Sequence, residues 1–70
     1  MNRYPKELPI GLAMSLSLNE FAMEYYSSLD SKAREKITKY IQGGATGEDT
    51  KMRINKAIDE LEHNSLEFLN

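Results

Sequence analysis

Between Pro9 and Leu69 the apolar residues fall into four clusters, set apart by capping residues and glycines. The first cluster, PIGLAMSLSL, carries two periodicities. Leu12, Met14, Leu16 and Leu18 alternate as a half-buried strand would. Ile10, Ala13, Met14 and Ser17 instead share one helical face, with Leu12 and Leu16 on the opposite side. A strand needs a partner, and no other stretch reads as one. The pattern therefore predicts a short helix, apolar nearly all round, with Pro9 at its first position.

The second cluster, LNEFAMEYYSSL, places Leu18, Phe21, Ala22, Tyr25 and Leu29 on one helical face and Glu20 and Glu24 away from it. Two N-caps compete for its start. Ser17 with Glu20 would form a capping box stapled by Leu16 and Phe21; Asn19 would begin the helix two residues later. Asp30 is the expected cap of a third helix, SKAREKITKYIQ, with Ala33, Ile37, Tyr40 and Ile41 as its inner stripe. Glu35 precedes Lys39 at i,i+4, the favourable order for an exposed ion pair. Gly43-Gly44 stops this helix. A fourth begins near Gly47 and carries Ile54, Ala57, Ile58 and Leu61 inward. Unbroken, it would add Phe68 and Leu69 to that face; Asn64-Ser65 is a stop signal before them, and the expectation is a frayed end that docks weakly. Residues 1–8 read as a loose arm, and 9–70 as one helical domain.

Size and composition sharpen this picture. A chain of 70 residues makes a single domain, and one this short buries only about 60% of the surface its unfolded form exposes. With no cysteine, neither a disulfide nor a thiolate metal site holds it together, so packing and self-association are left. The net charge of −2 is too small for a field-driven partnership with nucleic acid or an anionic membrane. Lys32, Arg34, Lys36 and Lys39 nevertheless gather mid-chain, and Asp59, Glu60, Glu62 and Glu67 near the end. No apolar run approaches the roughly 20 residues of a membrane span. The first residues lack a convincing cleavage site, so no signal peptide is expected.

Candidate chemistry is sparse. GGATGEDTKMRINKAI looks at first like a phosphate-cradling loop, but a Walker loop requires G-x-x-x-x-G-K-[ST] after a strand. Glu48 and Asp49 follow Gly47 instead, and two carboxylates at a helix N-terminus repel a phosphate. Thr46 with Asp49 reads as a self-capping pair. His63, the single histidine, lies on the solvent face with only Asp59, Glu60 and Glu67 near it as metal ligands. The acidic pairs Glu20/Glu24 and Asp59/Glu62 lie opposite apolar stripes, and no second histidine exists to complete a set around a serine. No catalytic, cofactor or metal site is expected.

Two binding surfaces are. Lys32, Lys36 and Lys39 form a basic edge on the third helix, and the short SSLDS turn before it permits a helix-turn-helix reading. Few base-reading side chains open that helix and the chain is acidic, so nucleic acid ranks second. The leading candidate is an apolar surface of Leu12, Leu16, Met23 and Tyr26, lying off the stripe centres and suited to an unknown protein partner or to self-association.

The order of residues also resembles the helical C-terminal segment of the YdeI/OmpD-associated, or bacteriocin-protection, family. The match runs through Pro9, Asn19, Ala22, Tyr26, Leu29, Arg34, Ile41, Ala45, Thr50, Arg53, Ile54, Lys56, Ala57 and Leu61. The chain departs from the family pattern at Glu20 (Pro in the family), Tyr40 (Trp), Thr46 (Lys) and Lys51 (Arg). LPIGLAMSLSLN is similar, too, to small clostridial-type helical proteins with an LPxGxxMxLxxN pattern. The resemblance implies a bacterial, cytoplasmic, all-α protein connected with envelope-stress or peptide-resistance physiology, and no settled reaction. It adds Thr50 and Arg53 as matched polar positions that face either a partner or the helix's own start. The expectation is a small bundle of about four helices acting as a non-catalytic interaction module.

Overall fold

A computed structural model of the chain describes residues 8–70. Among these residues the structure is all-α, with four helices and a closing 3-10 turn. In chain order they are α1 (Ile10–Ser17), α2 (Glu20–Ser28), α3 (Ser31–Gln42), α4 (Gly47–Glu62) and the turn Glu67–Leu69. The longest helix, α4, is the hub: α1, α2, α3 and the final turn all pack on it. Most of the expected arm lies outside the described residues; its last residue, Leu8, is partly buried against the core.

Local chemistry sets the helix boundaries. Pro9 is extended (φ −62°, ψ 141°) and serves as the N-cap of α1 rather than its first helical residue. Asn19 wins the competition at α2, its side chain accepting from the Ala22 amide at 3.1 Å. The Ser17 hydroxyl is engaged elsewhere, donating back to the Met14 carbonyl at 2.7 Å. Asp30 caps α3 through the Ala33 amide at 2.8 Å. Thr46 caps α4 through the Asp49 amide at 3.0 Å, and the Asp49 carboxylate accepts in turn from the Ala45 amide at 2.9 Å. One orphan donor of α4 and one amide of the preceding turn are thereby satisfied.

The end of α4 has an equally local cause. Asn64 takes the left-handed conformation (φ 58°), its amide reaching the Leu61 carbonyl and the Ser65 amide reaching that of Glu60. This is the paired-bond reversal that glycine usually supplies and asparagine tolerates. The chain then returns, and the final turn buries Phe68 against the core rather than fraying. Its ring meets that of Tyr40 edge-on, with centroids 5.1 Å apart, a geometry favoured by the ring quadrupoles.

The core comprises Leu12, Leu16, Ala22, Tyr26, Ile37, Ile41, Ala57, Leu61 and Phe68. The stripes of α3 and α4 lie as their periodicity predicts, with Thr38 an added buried residue. Two expectations are corrected. Leu12 and Leu16 are not a partner surface but the inner face of α1, at 0% and 1% exposure. On α2 the inner face is Ala22, Tyr25, Tyr26 and Leu29, while Leu18 (88% exposed) and Phe21 (63%) point to solvent. The extended backbone of Asn19 leaves Leu18 outside α2, and packing on α4 turns the Ala22–Tyr26 side of α2 inward rather than Phe21. Tyr26 thus also moves from surface candidate to core.

Candidate functional site

With Leu12 and Leu16 turned inward, the opposite face of α1 is left outside. Ile10, Ala13, Met14 and Ser17 line one wall of a groove of about 670 Å³, and Met23, Tyr26 and Ser27 of α2 line the other. Leu8 and Arg34 complete it, and the buried Leu16 contributes to its floor. Ile10 is 78% exposed, Met14 62% and Met23 37%, so the walls are apolar surface in contact with water. Concentrated exposure of this kind is uncommon on a small soluble protein and marks interaction surfaces.

Among the described residues the groove has a single formal charge. Arg34 is its only ionisable lining residue other than Tyr26, and among the described residues no carboxylate stands within ion-pair distance of it. Burial pushes the Tyr26 phenol above its usual range, and the nearby Arg34 charge pulls the other way. The groove therefore offers apolar contact along its length and one cationic point. Met23 is the one expected surface residue that it contains in exposed form. Ile10 and Met14 were legible only as members of the alternative helical face of α1.

Thr50 and Arg53 have identifiable structural work. Thr50 lies against Gly44, where a β-carbon would come within 2.9 Å of the Thr50 backbone. Arg53 donates from Nη1 to the Tyr40 carbonyl at 2.7 Å, sits with its guanidinium carbon 5.0 Å from the Tyr40 ring centroid, and pairs with Asp49 at 3.6 Å. It thus ties the end of α3 to the first half of α4. The other ion pair among the described residues joins Lys56 to Glu60; Glu35 and Lys39 do not form the expected one.

The basic edge is exposed as its spacing predicts, but it is not uniformly basic. Lys32 and Lys36 share a second groove, of about 490 Å³, with Asp30 and Glu67, while Lys39 lies outside that lining. Further, α2 and α3 each rest on α4 and barely touch one another, unlike the mutually packed pair of a helix-turn-helix. His63 is fully exposed, and its ring Nδ1 is 2.7 Å from the Asp59 carbonyl. That hydrogen bond, with the charges of Asp59, Glu62 and Glu60, raises its pKa above the ordinary 6.5. Among the described residues no three of His, Asp or Glu converge as a metal set, and no helix is long and apolar enough to cross a membrane.

Comparison with family models, with curated proteins and with solved structures finds no match to this chain.

Proposed function

We propose that this chain is a non-catalytic protein-interaction module whose contact face is the α1–α2 groove. The observation that carries this reading is the exposure of Ile10, Met14 and Met23 together on the walls of one concavity. Isolated exposed apolar side chains are ordinary; a lined groove of them is a recognition feature. The resemblance to the YdeI/OmpD-associated family supports a bacterial, cytoplasmic setting in envelope-stress or peptide-resistance physiology. Nucleic-acid binding through Lys32, Lys36 and Lys39 is the weaker reading, because Asp30 and Glu67 interrupt the basic surface.

The test compares the wild-type chain with Met14→Glu in affinity capture from bacterial lysate and in sedimentation velocity. Met14 is exposed, so the variant should retain its helical circular dichroism while losing a specific partner or self-association. A chain that captures nothing and stays monomeric at high concentration would refute the reading. Retention on DNA at low salt, falling steeply as salt rises, would favour the nucleic-acid alternative.

A further inference from the structure

We propose that the α1–α2 groove is the receptor for an acidic amphipathic helix of a partner protein, seated by its apolar face with one carboxylate on Arg34. This assignment rests on the interaction-module reading and specifies the partner's chemistry. Three observations carry it. The walls are the sides of two consecutive helices, and a groove between packed helices accepts the ridge of a third. Methionine stands on both walls, as Met14 and Met23, and its unbranched, polarizable side chain adapts to the apolar face of a docking helix. Among the described residues, Arg34 supplies the only formal charge of the lining and has no carboxylate partner.

Charge complementarity decides the sign of the partner. A neutral or basic helix would leave the Arg34 guanidinium partly desolvated without a counter-charge, whereas a Glu or Asp makes a charge-assisted hydrogen bond there. Length is set by the wall: α1 has 8 residues, roughly 12 Å at 1.5 Å per residue. The bound segment therefore needs about two to three turns, with anchors at i, i+3 or i+4, and i+7. The Arg34 charge is close enough to act on the Tyr26 phenol, and Tyr26 lies in the C-terminal half of α2, so the carboxylate belongs near one end of the segment.

The probe is a fluorescein-labelled peptide of about 14 residues, long enough for the required turns. It carries leucine at i, i+3, i+4 and i+7 and glutamate at both ends, so that either orientation presents an acid. Controls replace the glutamates by glutamine, or scramble the leucine order. Binding is read by anisotropy and by the methyl NMR signals of the methionines. The expected result is a saturable shift of the Met14 and Met23 methyls, with the scrambled peptide inactive. Arg34→Gln should weaken the glutamate peptide about threefold to fivefold, the range of a partly exposed ion pair, and leave the glutamine peptide nearly unchanged. Arg34→Glu should reverse the preference towards a peptide ending in lysine, a gain that an unfolded variant cannot show.

Four results would overturn the proposal: no methyl shift up to millimolar peptide; equal binding of the scrambled control; equal loss of both peptides on Arg34→Gln; or shifts centred on Met52, outside the groove. Concentration-dependent broadening of Met14 and Met23 without peptide would make a second copy the occupant and also overturn it. The broader reading fails separately. A cellular partner whose capture survives Met14→Glu removes the groove and leaves the module, whereas absence of any association removes both.

Discussion

The Arg53 guanidinium donates a 2.7 Å hydrogen bond to the backbone carbonyl of Tyr40 while lying 5.0 Å from the centroid of the same residue's ring. The carbonyl is one of the orphan acceptors near the end of α3, where a cation is also favoured by the helix dipole. One side chain thereby closes one helix, stacks on its last aromatic and joins it to the next helix. Arg53→Ala should destabilise the fold by about 1–2 kcal/mol, a charged hydrogen bond discounted for its partial exposure. Arg53→Lys should recover less than half of that, since lysine cannot stack and bond with a planar fork. Urea denaturation midpoints check both; equal stability of all three proteins would show that the bridge contributes nothing.

Gly44 in the α3–α4 connection and Gly47 at the start of α4 should respond in opposite directions. A β-carbon on Gly44 would stand 2.9 Å from the backbone of Thr50, whereas one on Gly47 meets nothing within 4 Å. Gly44→Ala should cost about 1–3 kcal/mol, because backbone must move to relieve it. Gly47→Ala should stabilise by about 0.4–1 kcal/mol through the unfolded chain's lost freedom. Thermal melting of the two variants measures the contrast, and a stable Gly44→Ala protein would mean that Thr50 is not pressed against the turn.

Asn19 performs two tasks, capping α2 at the Ala22 amide and donating from Nδ2 to Glu62 at 2.8 Å across to α4. Asn19→Ala should cost about 1–2 kcal/mol, the upper part of the range for a lost cap. Asn19→Asp should keep the cap but set a second negative charge against Glu62, and so recover only part. Ser17→Ala should be nearly neutral. Chemical denaturation of the three variants ranks them; a Ser17→Ala loss as large as that of Asn19→Ala would return the cap to Ser17.

The raised pKa of His63 has a defined sign for stability. Its protonated ring donates to the Asp59 carbonyl and faces Asp59, Glu62 and Glu60, so the folded chain holds the proton more tightly than the unfolded one. The contribution is complete below the ordinary value of 6.5 and is lost as pH rises through the folded pKa. An NMR titration of the His63 ring should give a midpoint above 6.5. His63→Gln should flatten the dependence of stability on pH across that interval, and a midpoint at or below 6.5 would remove the claim.

What the sequence determined by itself was most of what has a local cause. Asp30 and Thr46 cap amides within one helical turn, and Asn64 tolerates the left-handed backbone that reverses the chain, so local chemistry located the starts of α3 and α4 and the end of α4. The inner stripes of these helices were equally legible, because polar residues mark their opposite faces. The departure from a Walker loop at Glu48 and Asp49 needed no coordinates either.

Tertiary structure alone decided which side of α1 faces in. A helix apolar all round has two comparable faces, and only contact with α4 chose Leu12 and Leu16 over Ile10 and Met14. The same choice created the groove, so the candidate site inherited the ambiguity: Leu16, Met23 and Tyr26 of the expected surface do line it, but Leu12 is buried elsewhere and the exposed walls are Ile10, Met14 and Met23. Arg53 and Tyr40, 13 residues apart, and Phe68 against Tyr40 depend likewise on how α3 and the final turn lie on α4. Periodicity states which residues share a face; burying that face requires a neighbour, and the neighbour is placed by the packing of the whole chain.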